Sequence, residues 1–262
     1  MATTTANPPK PATKSAAFPE NASPYKRILL KLSGEAFCTP GGMGIDPPEL
    51  GLIAQEIKDA LTTGERATQM AVVVGGGNFV RGAKFAKAAH IHQATADYMG
   101  MMGTVMNGLA LKEALLHIGV DSRVMTAIDV RAVAEPFIRG RALRHLEKGR
   151  VVILVAGTGN PFCTTDTAAS LRAIELECEL LMKATKVDGV YTADPKKDPS
   201  AKRYDQLTFT ESISKNLAVM DMTALAMCQE NKVPVLVFDF KQAGNIRKVV
   251  GGDRIGTLIT PP

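Results

Sequence analysis

Short apolar runs alternate along the chain with longer segments that have helical periodicity. The apolar runs that predict strands are Arg27–Leu32, Met70–Val74, Ser122–Met125, Val151–Val155, Glu179–Ala184, Val235–Phe240 and Thr257–Ile259. This alternation is typical of a mainly parallel sheet with helices on both faces. The predicted fold class is therefore α/β.

The clearest predicted helix lies between the first two strands. Asp46 is the expected N-cap and Pro47 the first helical residue. Proline is favoured at that position because the N–H that it lacks would have no partner within the helix. Apolar residues then recur at helical spacing, which predicts one buried face. The members of this face, which we assign to the core, are Leu50, Ile53, Ile57 and Leu61.

The first 24 residues differ in composition from the rest of the chain. They are rich in Ala, Thr, Pro and Ser and contain almost no large apolar side chains, so burial cannot offset the entropy of ordering them. We predict a disordered tail over 1–24. No repeat or long linker divides the remainder, which predicts a single domain over 25–262.

Charge and composition narrow the class of protein. The formal net charge is +5, but the basic residues are scattered, aromatic residues make up only 5%, and there is no Trp. A nucleic-acid surface is therefore not expected. A membrane protein is not expected either, because no apolar run approaches the about 18 residues of a spanning helix. The four cysteines show no metal-ligand spacing, and we expect reduced thiols in the cytoplasm.

Three predicted strands end in glycine-rich turns, at 31–34, 75–78 and 157–160. Carboxyl ends of parallel strands meet at one edge of a sheet, where ligands bind. Glycine lets the backbone N–H groups approach a phosphate closely. Lys31 ends the first strand and Arg81 follows the second turn, so both are candidates to neutralise a transferred phosphoryl group. The alternative is that both make surface ion pairs.

The third turn continues with Pro161, Phe162 and Cys163 and then Thr164, Thr165 and Asp166, before a helical segment. The Thr-Thr-Asp run can cap that helix, but capping needs one side chain. The others are then available for a nucleotide, for Mg²⁺ or for the lysine. No G-x-x-x-x-G-K-[ST] string occurs, so a kinase with this sequence does not use a P-loop.

Seven motifs in this order resemble the bacterial uridylate kinase (UMP kinase) family of the amino acid kinase superfamily. They are KLSGEAF at 31–37, GGGNFVRG at 75–82, ATADYMGM at 94–101, GTGNPFCTTD at 157–166, KATKVDGVYTADP at 183–195, MD at 220–221 and GTLIT at 256–260. The resemblance runs from about Tyr25 to the C-terminus. It implies a three-layer α/β/α sandwich, a homohexamer built from dimers, and transfer of the γ-phosphoryl group from Mg-ATP to UMP in pyrimidine nucleotide biosynthesis.

The resemblance also implies roles for individual residues. The positions expected to contact ATP are Lys31, Leu32, Ser33, Gly34, Gly77, Arg81, Thr185, Tyr191 and Asp194. Those expected to contact UMP are Gly76, Asp97, Thr158, Gly159, Asn160, Pro161, Phe162, Cys163, Thr164 and Thr165. Lys31, Arg81 and Asp166 are the catalytic candidates, with Asp166 organising the lysine or the metal. Mg²⁺ is expected to arrive with ATP rather than in a site of its own.

Regulation by GTP and UTP is common in such enzymes. The GTP-linked segment corresponds to about Thr39–Gly44, and its departure from relatives leaves activation by GTP open. His90 and His92 lack a third ligand, so a metal pair is not expected there. Met99, Met101, Met102 and Met106 are better assigned to a subunit interface than to a cofactor pocket, and Cys163 has no base partner in the sequence.

Two other functions fit parts of the pattern. A kinase of the same fold that phosphorylates a carboxylate or carbamate would not need the run GTGNPFCTTD. A non-catalytic relative that stores or senses an anion should have lost the cationic pair, whereas Lys31 and Arg81 are both present.

Overall fold

The structure is a computed structural model that describes residues 25–63, 67–80, 86–87, 90–195, 197–217 and 219–261. The predicted tail at 1–24 lies outside these ranges, so its disorder stays a prediction. The strands are β1 Arg27–Leu32, β2 Gln69–Val74, β3 Ser122–Thr126, β4 Glu135–Pro136, β5 Val151–Val155, β6 Leu180–Thr185, β7 Val190–Tyr191, β8 Arg203–Tyr204, β9 Gln206–Thr208, β10 Val235–Asp239 and β11 Thr257–Thr260.

Helices occupy most connections between these strands. A 3₁₀ turn spans Gly34–Phe37, and the α-helices of the described residues are α1 Pro47–Leu61, α2 Gln93–His117, α3 Arg139–Glu147, α4 Thr165–Glu175, α5 Phe209–Ser214, α6 Met222–Glu230 and α7 Asn245–Val250. Helix α2 is the longest of them, with 25 residues, and its N-terminal half runs past the turn that follows β2.

Within the described ranges, nine strands form one sheet in the order β4-β3-β5-β2-β1-β6-β10-β11-β9. All neighbours are parallel except β10 and β11. The chain moves to one side of β1 for β2 and to the other side for β6. Strand order therefore reverses at β1, and ligands bind at the carboxyl edge next to such a reversal.

Two apolar layers enclose the sheet. Ile28, Leu30 and Leu32 of β1 pack with α1, α2 and α7, whereas Leu29 packs with α3, α4 and α6 on the other face. Side chains alternate between the faces of a strand, so Lys31 belongs to the face of Leu29. The predicted α/β/α sandwich is confirmed. Two polar side chains of β1 lie on the α4 side: Lys31, and Arg27, which donates to the carbonyl oxygen of Leu176 at the end of α4.

The seven predicted strands are all confirmed, with ends that move by at most one residue. The short strands β4, β7, β8 and β9 were not predicted, because two or three residues are too few to show a period. Asp46 is the N-cap residue of α1, but its side chain makes no capping hydrogen bond. Pro48 contributes to this, because a capping side chain accepts from the N–H of the second or third helical residue and proline has no N–H.

The turns that follow β1 and β2 pack backbone against backbone. A Cβ atom on Gly34 would lie 2.4 Å from the backbone nitrogen of Gly77. One on Gly76 would lie 2.3 Å from the carbonyl oxygen of Gly100 in α2. These glycines are therefore required by close approach between the first two turns and α2.

Replacement of Gly76 by alanine should lower the free energy of unfolding by about 1–3 kcal/mol, because the new methyl group meets a helix backbone. The control is Gly51→Ala in α1, where a Cβ atom meets nothing within 4 Å. That change should stabilise the protein by about 0.5–1 kcal/mol through helix propensity. Urea denaturation measures both, and equal effects would contradict the packing argument.

Candidate active site

Two lysines and one carboxylate form a cluster at the reversal of strand order. Lys31 of β1 and Lys183 of β6 are direct partners in the parallel register, so both side chains leave the same face of the sheet. Asp166, in the first turn of α4, lies between them. Its Oδ1 is 2.9 Å from Lys31 Nζ, and its Oδ2 is 2.6 Å from Lys183 Nζ.

All three side chains of the cluster are largely buried, with exposures of 11% for Lys31, 16% for Lys183 and 15% for Asp166. Burial alone would raise the pKa of Asp166, but the charges and hydrogen bonds of the two lysines outweigh it and hold that pKa below its usual value. Burial lowers the pKa of Lys183, and Asp166 offsets only part of this. With all three groups charged, the cluster carries one net positive charge, which favours an anionic ligand.

The start of α4 is fixed by Thr164. Its hydroxyl accepts hydrogen bonds from the backbone N–H groups of Asp166 and Thr167 and donates to Asp221 Oδ2. One side chain therefore caps the helix, which leaves the side chains of Thr165 and Asp166 for other contacts. Asp221 also caps α6 by accepting from the N–H of Ala224.

Sequence reasoning did not assign Lys183 or Asp221 to the site, although both lie in the quoted motifs. Lys183 donates to the carbonyl oxygen of Val219 as well as to Asp166. The available signal was a lysine inside the otherwise apolar run that predicted β6. It could not be interpreted alone, because pairing with Lys31 depends on which strands are neighbours.

A cavity of about 350 Å³ opens beside the cluster. The predicted site residues that line it are Gly76, Gly77, Asp97, Thr158, Asn160, Phe162, Cys163, Thr164 and Thr165. Gly159 and Pro161 belong to the same loop without lining the cavity. The second and third glycine turns thus converge, together with the N-terminus of α4.

The loop over this cavity is held in an unusual conformation. Ala156 and Phe162 both have positive φ angles, of 62° and 65°, which cost energy for residues with a side chain. The backbone N–H of Phe162 donates to Asp97 Oδ2 at 2.9 Å. Asp97 therefore ties the loop to α2, and Phe162 is 67% exposed at the edge of the cavity.

The first turn lies against the second. Ser33 caps the 3₁₀ turn by accepting from the N–H of Glu35, and the side chain of Leu32 is fully buried in the core. Only the backbone of Leu32 is thus available for the predicted contact with ATP. A second cavity, of about 280 Å³, lies beside Gly77 and Lys186, and Gly77 lines both cavities.

The remaining predicted ATP contacts lie at and beyond the end of β6. The carbonyl oxygen of Thr185 accepts from Phe240 N–H, and that of Asp194 accepts from two N–H groups of the following turn. Tyr191 donates its hydroxyl to Asp188 Oδ1 at 2.7 Å, and this hydrogen bond raises the pKa of Tyr191. These residues do not line either cavity described above.

The remaining sequence predictions concern Arg81, the histidines, Cys163 and membrane-spanning helices. Arg81 lies outside the described residues, so its role stays a prediction. His92 Nδ1 accepts from Ala94 N–H and caps α2, and the described residues contain no group of three potential metal-ligating side chains. Cys163 is exposed. No helix among the described residues has the length and apolar character needed to cross a membrane.

The methionines of α2 divide into two groups. Met101 is 7% exposed and belongs to the core, which corrects its assignment to an interface. Met99, Met102 and Met106 are 38%, 44% and 45% exposed. Only these three are available for contact with another subunit.

Comparison with known proteins identifies one family and similar solved structures within it. The family model described as the amino acid kinase family matches residues 26–239. The UMP kinase from Bacillus anthracis shares 40% identity and a TM-score of 0.87, over 90% of this chain and 96% of that one. The UMP kinase from Ureaplasma parvum shares 37% identity and a TM-score of 0.84, over 90% and 98%. The uridylate kinase from Archaeoglobus fulgidus shares 29% identity and a TM-score of 0.68, over 88% and 99%.

Removal of the buried carboxylate should produce a pH-dependent loss of stability. At pH 7, Asp166→Asn should cost about 3–5 kcal/mol, because two buried cations lose their partner. A lowered pKa means that Asp166 stabilises the fold above its unfolded pKa of about 3.9 and loses this effect as pH falls through the lower folded value. The difference between wild type and variant should therefore shrink below about pH 4.

Urea denaturation across this pH range measures the difference. The control is Asp129→Asn, which removes an exposed ion pair with Arg131 and should change stability by about 0–1 kcal/mol. A difference between wild type and Asp166→Asn that stays constant with pH would contradict the ionised state assigned to Asp166.

Proposed function

The chain belongs to the amino acid kinase family, and we propose that it transfers the γ-phosphoryl group of ATP to UMP, giving UDP and ADP. The observation that carries this proposal is the buried pair Lys31 and Lys183, held on Asp166 beside a cavity of nucleotide size. The similar proteins from Bacillus anthracis and Ureaplasma parvum, described as UMP kinases, support the choice of acceptor.

The chemistry requires little from the protein beyond position and charge. The attacking group is a phosphate oxygen of UMP, which is already anionic near pH 7 because the second pKa of a phosphate monoester is about 6. No general base is needed. The moving phosphoryl group spreads negative charge over its equatorial oxygens, and Lys31 and Lys183 supply fixed positive charge in a site largely shielded from water. Asp166 holds both ammonium groups in place.

The acceptor is assigned to the 350 Å³ cavity. Its phosphate lies at the N-terminus of α4, near Thr165, where the helix dipole favours an anion. Asp97 accepts hydrogen bonds from the ribose hydroxyls, and the loop 158–165 surrounds the base. Gly76 allows the backbone to approach the phosphate closely.

The donor is assigned to the turn after β1 and to the segment after β6. Lys31, Ser33, Gly34 and Gly77 face its phosphates, with the backbone of Leu32, and Arg81 is the further cation proposed from the sequence. Thr185, Tyr191 and Asp194 hold the base and ribose side.

Mg²⁺ enters with ATP, and the donor set of the cluster fits this assignment. The one carboxylate there, Asp166, already has a lysine on each oxygen. It is therefore committed to the lysines rather than to a metal cage. When bound, Mg²⁺ supplies further neutralisation of the β- and γ-phosphate oxygens.

Assembly and regulation complete the proposal. Met99, Met102 and Met106 form an exposed apolar face on α2, which supports contact with a second subunit within a homohexamer. Activation by GTP through 39–44 stays open, whereas inhibition by UTP is proposed from the resemblance alone. The same holds for a cytoplasmic location and for a role in pyrimidine nucleotide biosynthesis.

The acceptor can be identified with purified protein. With Mg-ATP, ADP release should occur with UMP and be weaker or absent with CMP, acetylglutamate and carbamate. The physical reason against acetylglutamate and carbamate is the volume of the acceptor cavity, which suits a nucleotide and provides Asp97 for a ribose. The preference for UMP over CMP follows from the similarity to UMP kinases. Turnover only with acetylglutamate or carbamate would assign the chain to the other kinases of this fold. Binding of anions without turnover would favour storage or sensing.

Loss of one cation should affect the chemical step most. Lys31→Ala should fold but lower kcat on the order of 10³-fold, as loss of a transition-state cation does elsewhere. The sequence predicts the same for Arg81→Ala. Lys112→Ala, which removes an exposed lysine paired with Glu113, is the matched control and should leave kcat unchanged. Steady-state kinetics with UMP decides, and near-normal kcat in Lys31→Ala would refute its role.

A further inference from the structure

Two buried amide side chains lie next to the glycine turn after β2, apart from the charged cluster. Asn78 is 3% exposed and Asn107 of α2 is completely buried. A buried amide destabilises a protein unless its donors and acceptors are satisfied. Both lie beside the turn 75–77, which faces both cavities, so their hydrogen bonds can fix the position of that turn.

The two amides form a reciprocal pair. Asn78 Nδ2 donates to Asn107 Oδ1 at 2.9 Å, and Asn107 Nδ2 donates to Asn78 Oδ1 at 2.8 Å. The second hydrogen of Asn107 goes to the carbonyl oxygen of Gly75 at 2.8 Å, and that of Asn78 goes to the carbonyl oxygen of Gly44 at 2.7 Å. Each amide group thus uses both of its hydrogens and its oxygen.

The bond to Gly75 determines the direction of a neighbouring donor. The peptide unit between Gly75 and Gly76 is planar and trans, so its C=O and N–H groups point in opposite directions. With the C=O directed to Asn107, the N–H of Gly76 is directed away from it. Gly76 lines the acceptor cavity, and backbone N–H groups of such a turn are suited to phosphate oxygens.

Asn78 extends this constraint to the loop 39–44. Its carbonyl oxygen accepts from the N–H of Gly44, in addition to the side-chain bond to the Gly44 carbonyl, so two hydrogen bonds attach the end of the loop to the turn. The loop and the turn both line the second cavity. The turn therefore has fixed connections to α2 and to this loop.

We propose that Asn107 is a positioning residue for phosphoryl transfer, which orients the glycine turn 75–77 through Gly75 and Asn78. The proposal rests on the proposed function and deepens it, because the turn is assigned contacts with both substrates. Since amides do not titrate, the constraint is independent of pH, unlike that on the charged cluster.

The test is Asn107→Leu, which keeps the side-chain volume but removes all the hydrogen bonds. The turn should become misplaced, with a loss of about 10²-fold in kcat/KM for UMP. The control is Leu111→Ala, one turn further along α2, which opens a cavity in the same core without touching the turn. It should lower stability in urea while the folded enzyme keeps wild-type KM and kcat.

Binding of Mg-ATP by calorimetry is a second readout that needs no acceptor, and Asn107→Leu should weaken it while Leu111→Ala should not. If Asn107→Leu does not fold, Asn107→Ser replaces it in both measurements. Near-normal KM, kcat and ATP binding in the folded variant would overturn the proposal. Wild-type protein without turnover of UMP would instead refute the proposed function, and calorimetry would then decide on Asn107.

Discussion

The fold depends at its centre on one buried carboxylate between two buried ammonium groups. Desolvation of three charges opposes folding, and near-contact between the opposite charges, with the hydrogen bonds of Lys183, offsets it. That geometry requires β1 and β6 to be neighbours in one register, since a shift of one residue would turn Lys183 to the opposite face. The same register that builds the sheet therefore builds the cationic site.

Close backbone packing is the second constraint. Gly34, Gly75 and Gly76 lie where a methyl group would collide with another backbone, so the first two turns and α2 form one tight unit. Asn107 is linked to this unit by hydrogen bonds rather than by close backbone packing. Fixed N–H groups need no reorganisation when a phosphate arrives, which is why rigid backbone suits phosphoryl transfer. The strained loop at Phe162 contrasts with this rigid side of the cavity.

Sequence reasoning succeeded where the information is local. Buried parallel strands are continuous apolar runs, so all the long strands were found with their ends nearly correct. Glycine turns after strands also predicted the edge of the sheet at which the 350 Å³ cavity opens. The pairing of Lys31 with Lys183 was not predictable in this way, because it depends on strand order. Asp46 shows a further limit, since its side chain makes no capping hydrogen bond although its residue type favours one, and Pro48 removes one of the donors that a cap uses.

Distribution of the site over several elements has a physical consequence for specificity. A P-loop concentrates phosphate contacts in one segment, whereas here the cations come from β1 and β6 and the acceptor wall comes from α2 and the loop before α4. Asp166 and Thr165 are adjacent in the chain, one holding the lysines and the other lining the acceptor cavity. A small displacement of α4 by a poorly fitting acceptor would therefore move the lysines as well. With the acceptor in the proposed cavity, acceptor fit and charge placement would be coupled through the first turn of a single helix, so a wrong acceptor should lower the rate as well as the affinity.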